Sequence, residues 1–199
     1  MNHRWNISSL DRGRPLHYRP ERDFAPQAGA LVVIGEMRDA EAAQAAVGAS
    51  NTGHPVYGTV HAANSCMIIQ RMIQRYPTYA QHQAFTDVVQ ISRLMMSQTL
   101  VAMAGGGRVC LRDWLVLTPD RQEELLRIGY ERHGEAMKRW MESGDGARDM
   151  ITSINKGFTA GTISPVAYLE AIKRYGGDMD VADKVIAERQ PSPTQEEVA

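Results

Sequence analysis

Ala30-Leu31-Val32-Val33-Ile34-Gly35-Glu36-Met37-Arg38-Asp39 is the stretch on which the fold turns. Its first half is short, apolar and β-branched, the pattern of a strand buried on both faces of a parallel sheet, and polar residues follow at once. Glu36 therefore stands at the strand's C-terminal end. Asp39 supplies a helix N-cap, and Ala42, Ala43, Ala46 and Val47 recur at helical spacing until Asn51-Thr52-Gly53 provides a stop. Val56-Tyr57-Gly58-Thr59-Val60 reads as a second short strand, with His54 before it and His61 just past its end. Polar residues delivered to such strand ends sit where open α/β sheets bind ligands.

Further along, Ile68, Ile69, Met72, Ile73 and Tyr76 mark an amphipathic helix that Pro77 ends. Phe85, Val88, Val89 and Met96 predict another, running toward Met103 and broken by Gly105-Gly106-Gly107. Arg108 to Thr118, rich in Val, Leu and Trp, predicts a strand or hairpin arm that Pro119 closes. Helical patterns then dominate: one broad face over Asp120 to Glu142, a continuation over Ala147 to Phe158, and a helix opened by Ser164-Pro165 and ended by Gly176-Gly177. The expected organisation is an irregular Arg-containing lead-in over 1–25, an α/β part over 26–118, a helical part over 119–187 and a tail over 188–199.

The 199 residues are 43% hydrophobic and 23% charged, the composition of an ordinary globular chain. Formal net charge is −1, so no overall basic field points to a nucleic-acid or membrane partner. Five arginines (Arg4, Arg12, Arg14, Arg19, Arg22) fall early, interrupted by Asp11 and Glu21, and read as a solvated arm before a phosphate contact. Cys66 and Cys110 have neither disulfide-framework nor zinc-ligand spacing, which fits a reducing compartment. Leu94 to Gly107, the longest run free of Asp, Glu, Lys, Arg and His, is too short and too polar for a membrane span.

Strand-Gly-Glu-x-Arg-Asp at 31–39 followed by Thr-Gly-His-x-x-x-x-Thr-x-His at 52–61 resembles the Walker B and histidine-box motifs of the type II/IV secretion ATPase superfamily that includes PilT. Gln98-Thr99-Leu100 near Gly105-Gly106-Gly107-Arg108-Val109, and the Gly161-x-Ile163-Ser164 turn, extend the likeness over roughly residues 30–176. Thr59-Val60-His61-Ala62-Ala63-Asn64 looks closer to conjugative-transfer and Dot/Icm-type motors (TraJ-like, DotB-like), whereas Gly35-Glu36-Met37-Arg38-Asp39 is equally typical of PilT. The resemblance implies an α/β fold: an incomplete RecA-like (P-loop NTPase) parallel sheet over 26–118, then a C-terminal helical subdomain.

It also implies ATP and Mg²⁺ as cofactors. Glu36 would hold the metal through water, as a carboxylate at a sheet's C-terminal edge can. His61 would donate to a γ-phosphate oxygen and lose that partner after hydrolysis, and His54 and Thr59 are further candidates for the nucleotide side. Each has a plainer reading beside it: Glu36 as a solvated strand end, the histidines as satisfied surface or core residues. Arg38 and Asp39 are assigned structural roles, an ion pair and a helix cap. Arg71, Arg75, His82 and His133 are read as solvated helix positions.

No Gly-x-x-x-x-Gly-Lys-[Ser/Thr] occurs in the 199 residues, and the family's acidic Asp box is not recognisable. The expected role is thus the C-terminal part of a hexameric motor ATPase that energises conjugative plasmid transfer or type IV secretion, inactive by itself. Two alternatives stay open: a fragment of a PilT-type pilus-retraction ATPase, and a non-catalytic remnant or assembly partner. The implied partners are further copies of the chain and secretion or conjugation apparatus proteins at the inner membrane, without direct nucleic-acid contact. The implied location is the cytoplasm, free or held at the inner membrane through that apparatus.

Overall fold

The computed structural model describes residues 31–189; the lead-in expected over 1–25 and all but the first two residues of the tail expected over 188–199 lie outside the described residues. Packing divides the described chain into two compact units, one of residues 31–62, 67–92 and 121–130, the other of 63–66, 93–120 and 131–189. The division runs through the segment that the composition treats as one α/β part.

In the first unit, strands β1 (Val32–Ile34) and β2 (Val56–Gly58) pair in parallel, with Val32 opposite Val56, Val33 opposite Tyr57 and Ile34 opposite Gly58. Parallel neighbours need a crossover, and helix α1 (Ala40–Asn51) makes it. Asp39 caps α1 as expected, its carboxylate accepting from the Ala42 amide at 2.8 Å. At the other end Gly53 takes φ +86°, a conformation that favours glycine. Ala43, Ala46 and Ala49 form the buried stripe of α1, and their small side chains let it lie close to α2 (Ile68–Ile73) and α3 (Gln81–Ile91). Ile69, Ile73, Phe85, Val88 and Val89 fill the core behind them. Helix α4 (Pro119–Ile128) places the side-chain amide of Gln122 within 2.9 Å of the Val89, Gln90 and Ser92 carbonyls, satisfying the C-terminal end of α3. One expectation fails here: β1 is not covered on both faces by described residues, because Val33 and its neighbour Tyr57 are exposed.

In the second unit, β3 (Leu94–Ala102) and β4 (Arg108–Val116) form a long antiparallel hairpin, and β5 (Ala147–Arg148) adds to β4. The helix expected to run from Phe85 toward Met103 therefore ends at Ile91, and Leu94 onward is strand. Leu, Met and Gln favour helix in isolation, but burial alternates along 94–102 with Met95, Thr99 and Val101 inward, and nine cross-strand pairs with β4 override the weak local preference. Gly106 and Gly107, at φ +91° and +78°, make the turn. The single helical face expected over 120–142 is likewise two helices, α4 and α5 (His133–Ser143), interrupted at Gly129 with φ +81°. Against the hairpin pack α6 (Met150–Thr159) and α7 (Pro165–Arg174), followed by α8 (Met179–Arg189). Asp149 and Ser164 cap α6 and α7 through side-chain oxygens, with Pro165 in the first turn as its fixed φ favours. Leu111, Ile154, Phe158, Ile163, Tyr168 and Ile172 centre the core, where the Phe158 and Tyr168 rings stack with centroids 4.3 Å apart. Among the described residues no helix is long and apolar enough to cross a membrane.

Asp113 on β4 is the buried polar group that ties this unit together. Its carboxylate accepts from the Ser65 amide at 3.2 Å and the Ser97 amide at 3.1 Å, joining residues 63–66 and β3 to β4. Asp113→Ala leaves both donors without that acceptor, so it lowers unfolding free energy by roughly 2–4 kcal/mol, and Asp113→Asn by less. Urea denaturation of the three chains checks this, and a loss under about 0.5 kcal/mol in the alanine variant counts against the assignment.

Candidate functional site

The parallel ladder does not stop where the strands do. Beyond Ile34 and Gly58, the Thr59 amide donates to the Ile34 carbonyl at 3.2 Å and the Met37 amide to the Thr59 carbonyl at 2.8 Å. The Thr59 hydroxyl donates to the Gly35 carbonyl. Met37 is buried and packs against Gly58, its Cε 2.8 Å from where a Cβ on residue 58 would lie. Held this way, the two loops leave the sheet side by side.

Glu36 and His61, twenty-five positions apart in sequence, meet at that edge: His61 Nε2 lies 3.2 Å from Glu36 Oε1. Arg38 places both Nε and Nη2 at 2.6 Å from the other carboxylate oxygen, Oε2. Glu36 is the sheltered member, its side chain 24% exposed against 90% for His61. The hydrogen bond from Arg38 holds the Glu36 carboxyl below its ordinary range; desolvation opposes this, and the charges of Arg38, His61 and Arg75 add to it. The result is a fixed carboxylate at the C-terminal edge of a parallel pair, flanked by an imidazole that faces solvent.

Of the other candidates, Thr59 reaches the site, but its hydroxyl is engaged in holding Gly35. His54 does not reach it. It is buried at the N-terminal start of β2, its Nδ1 3.0 Å from the Thr52 hydroxyl and its amide bonded to the Ala49 carbonyl, at the far end of the strand from His61. The strand rise puts the 54 and 59 positions roughly 17 Å apart. The position of His54 thus supports a structural role, closing the α1 terminus.

Sequence reading passed over Arg75. Expected on a solvated face of α2, it sits just beyond the helix, and its Nη1 donates to the Arg38 carbonyl while its charge favours the ionised Glu36. No periodicity or motif carries that signal, because it depends on where the 35–39 loop lies. Arg71 is exposed, as expected, and so is His82, whereas His133 is buried at the start of α5. Cys66 is no alternative nucleophile: burial, with the Asp113 charge added, pushes its thiol up to about 11. Among the described residues no three or more His, Cys, Asp or Glu side chains gather into a metal cluster.

Residues 22–142, more than half of the chain, match the type II/IV secretion system protein family. The chain belongs to that family. Within it, the chain is 33% identical over 89 residues to the type IV pilus retraction ATPase PilT of Pseudomonas aeruginosa, an alignment covering 45% of this chain and 26% of PilT. It is 33% identical over 121 residues to the type IV pilus ATPase PilU of the same organism, covering 59% of this chain and 31% of PilU. The Legionella pneumophila ATPase DotB superposes with a TM-score of 0.68 at 29% identity, over 72% of this chain and 38% of DotB. The chain thus spans about a quarter to two-fifths of the length of the family members it matches. The architecture is the expected α/β, P-loop ATPase type.

The ionic contact carries a pH consequence. A carboxyl whose pKa is lowered on folding contributes stability above its unfolded pKa, and that contribution fades as pH falls through the folded value. In a carbon-detected NMR titration, the Glu36 carboxyl should have its midpoint below that of an unperturbed glutamate, and Arg38→Ala should raise it. A midpoint that stays put in the variant would show that Arg38 does not hold Glu36 in solution.

Proposed function

We propose that this chain supplies the Walker B and histidine-box side of a nucleotide site in a secretion-type motor ATPase. The observation that carries the reading is the contact between Glu36 and His61 at adjacent C-terminal ends of a parallel strand pair, where open α/β sheets bind ligands. The family members named above are ATPases by name, and this chain's edge has the residue types that nucleotide chemistry requires.

The single partly sheltered carboxylate suits Mg²⁺, which keeps most of its water and is held by one or two carboxylates together with substrate phosphates. Glu36 would hold it; when bound, the ion neutralises charge that develops on the phosphates. Arg38 fixes the direction of Glu36 through Oε2 and leaves Oε1 toward the site. His61, exposed and held by its contact with Glu36, can exchange Glu36 for a γ-phosphate oxygen and release it once the terminal phosphate departs, so its position reports nucleotide state. The backbone-amide cradle and lysine of a phosphate loop occur nowhere in these 199 residues, so on this reading they come from another segment of the working motor.

The resemblance of residues 59–64 to conjugative-transfer and Dot/Icm-type motors, together with the likeness to DotB, favours a hexameric motor for plasmid transfer or type IV secretion. The identity to PilT and PilU favours pilus retraction instead. A third reading is an assembly partner without turnover.

Joined to the upstream half of a related motor, the chain should support ATP turnover, and Glu36→Ala and His61→Ala should each lower it by roughly 100-fold while assembly persists. Steady-state ATPase rates with sizing of the assembled protein decide this; full turnover in both variants removes these residues from the site.

The 199-residue chain by itself should show no ATP turnover, because positioning and charge stabilisation of the phosphates are what phosphoryl transfer depends on. Mg-dependent hydrolysis by the purified chain, abolished by no loss of a contaminant, would place a phosphate-binding site within it and overturn that expectation.

A further inference from the structure

We propose that Arg75 is a positioning residue of the Glu36 edge: by binding the Arg38 carbonyl it clamps the 35–39 loop and so fixes where the Glu36 carboxylate points. What that carboxylate serves rests on the nucleotide reading of the edge. The clamp itself rests on the fold.

Arg75 stands one residue past the C-cap of α2, and its backbone is fixed on both sides. Its amide donates to the Met72 carbonyl at 3.3 Å, the following amide, of Tyr76, donates to the Ile73 carbonyl at 3.0 Å, and the Gln81 side chain holds the Tyr76 carbonyl at 3.1 Å. Ile73 and Tyr76 are buried, so the core sets the base of the Arg75 side chain. From there the guanidinium reaches a loop 37 positions earlier, where Nη1 donates to the Arg38 carbonyl. Arg38 in turn gives Nε and Nη2 to Glu36 Oε2. Two links thus join the end of α2 to the carboxylate, the first through a backbone carbonyl and the second through a side chain.

Two observations set this contact apart from packing. Arg75 Nε is buried and has no hydrogen-bond partner among the described residues. A buried donor left unpaired costs free energy, so arginine is a poor choice here on stability alone. The acceptor for Nη1 is a neutral carbonyl rather than a carboxylate, so the guanidinium keeps its whole charge. That charge acts on Glu36 together with those of Arg38 and His61, favouring the ionised form. His61 meets Glu36 Oε1 while Arg75 meets the Arg38 carbonyl, so the chain that follows β2 grips the 35–39 loop at two points. The Thr59 and Met37 ladder aims the loop away from the sheet, and Arg75 fixes its far side.

Amide hydrogen exchange of the full chain tests the clamp without nucleotide. The Met37 amide, bonded to the Thr59 carbonyl, reports the loop, and the Val32 amide, bonded to the Pro55 carbonyl, reports the other end of the same ladder. Arg75→Met keeps an unbranched apolar arm and removes the donor and the charge, so Met37 should exchange about tenfold faster while Val32 stays within about twofold of wild type. Arg75→Lys, which keeps a donor and the charge, should restore most of the protection, and Arg71→Met, at an exposed position of α2, should change neither amide. In the motor completed by an upstream half, Arg75→Met should lower kcat about tenfold, and no further in a Glu36→Ala background, because it acts through that carboxylate. Unchanged Met37 exchange in Arg75→Met, equal acceleration at Val32, no rescue by lysine, or a loss that adds to that of Glu36→Ala would each overturn the proposal. Full turnover by Glu36→Ala would instead remove the nucleotide reading, and the exchange rates would still decide the clamp.

Discussion

The candidate site depends on a hydrogen-bond ladder that outlives its strands. The paired strands are three residues each, too short to fix the direction of anything far beyond them. What extends their reach is the continuation through Thr59 and Met37, with the Thr59 hydroxyl on the Gly35 carbonyl and Met37 seated against Gly58. Backbone amides and carbonyls must find partners when water is restricted. By finding them in each other, the two loops are held parallel for two further residues, and a glutamate and a histidine distant in sequence become neighbours.

Electrostatics then act on a geometry that the backbone has set. Arg38 binds one oxygen of Glu36 through two nitrogens and His61 approaches the other, so the carboxylate is both kept ionised and oriented. The pairs are open to solvent, where ion pairs contribute little to stability. Their value lies in placement: one carboxylate oxygen is occupied by a residue of its own loop, and the other faces a solvent-exposed imidazole. Arg75, bonded to the Arg38 carbonyl, supports that loop from the following helix segment.

The second unit is held by a different device. Its hairpin lies over α6 and α7 by apolar contact, while Asp113 gathers amides from two segments at a buried point. Burying a carboxylate is tolerated where charge-assisted hydrogen bonds replace water. Among the described residues, Leu94, Met96 and Leu100 of the hairpin remain exposed.

Much of this was written in local pattern. The β-branched run ending at Gly35-Glu36, the Asp39 and Ser164 caps, the Gly53 and Gly176 stops and the family motifs follow from side-chain chemistry within a few residues, so the α/β class and the pairing of Glu36 with His61 as candidates were legible. What could not be read depends on partners remote in sequence. Leu94 to Ala102 has a helical composition and becomes a strand only because Arg108 to Val116 lies alongside. The burial of His133 and the reach of Arg75 to the Glu36 loop have the same origin. Local propensity is worth tenths of a kilocalorie per residue, so long-range pairing and burial overrule it wherever they act.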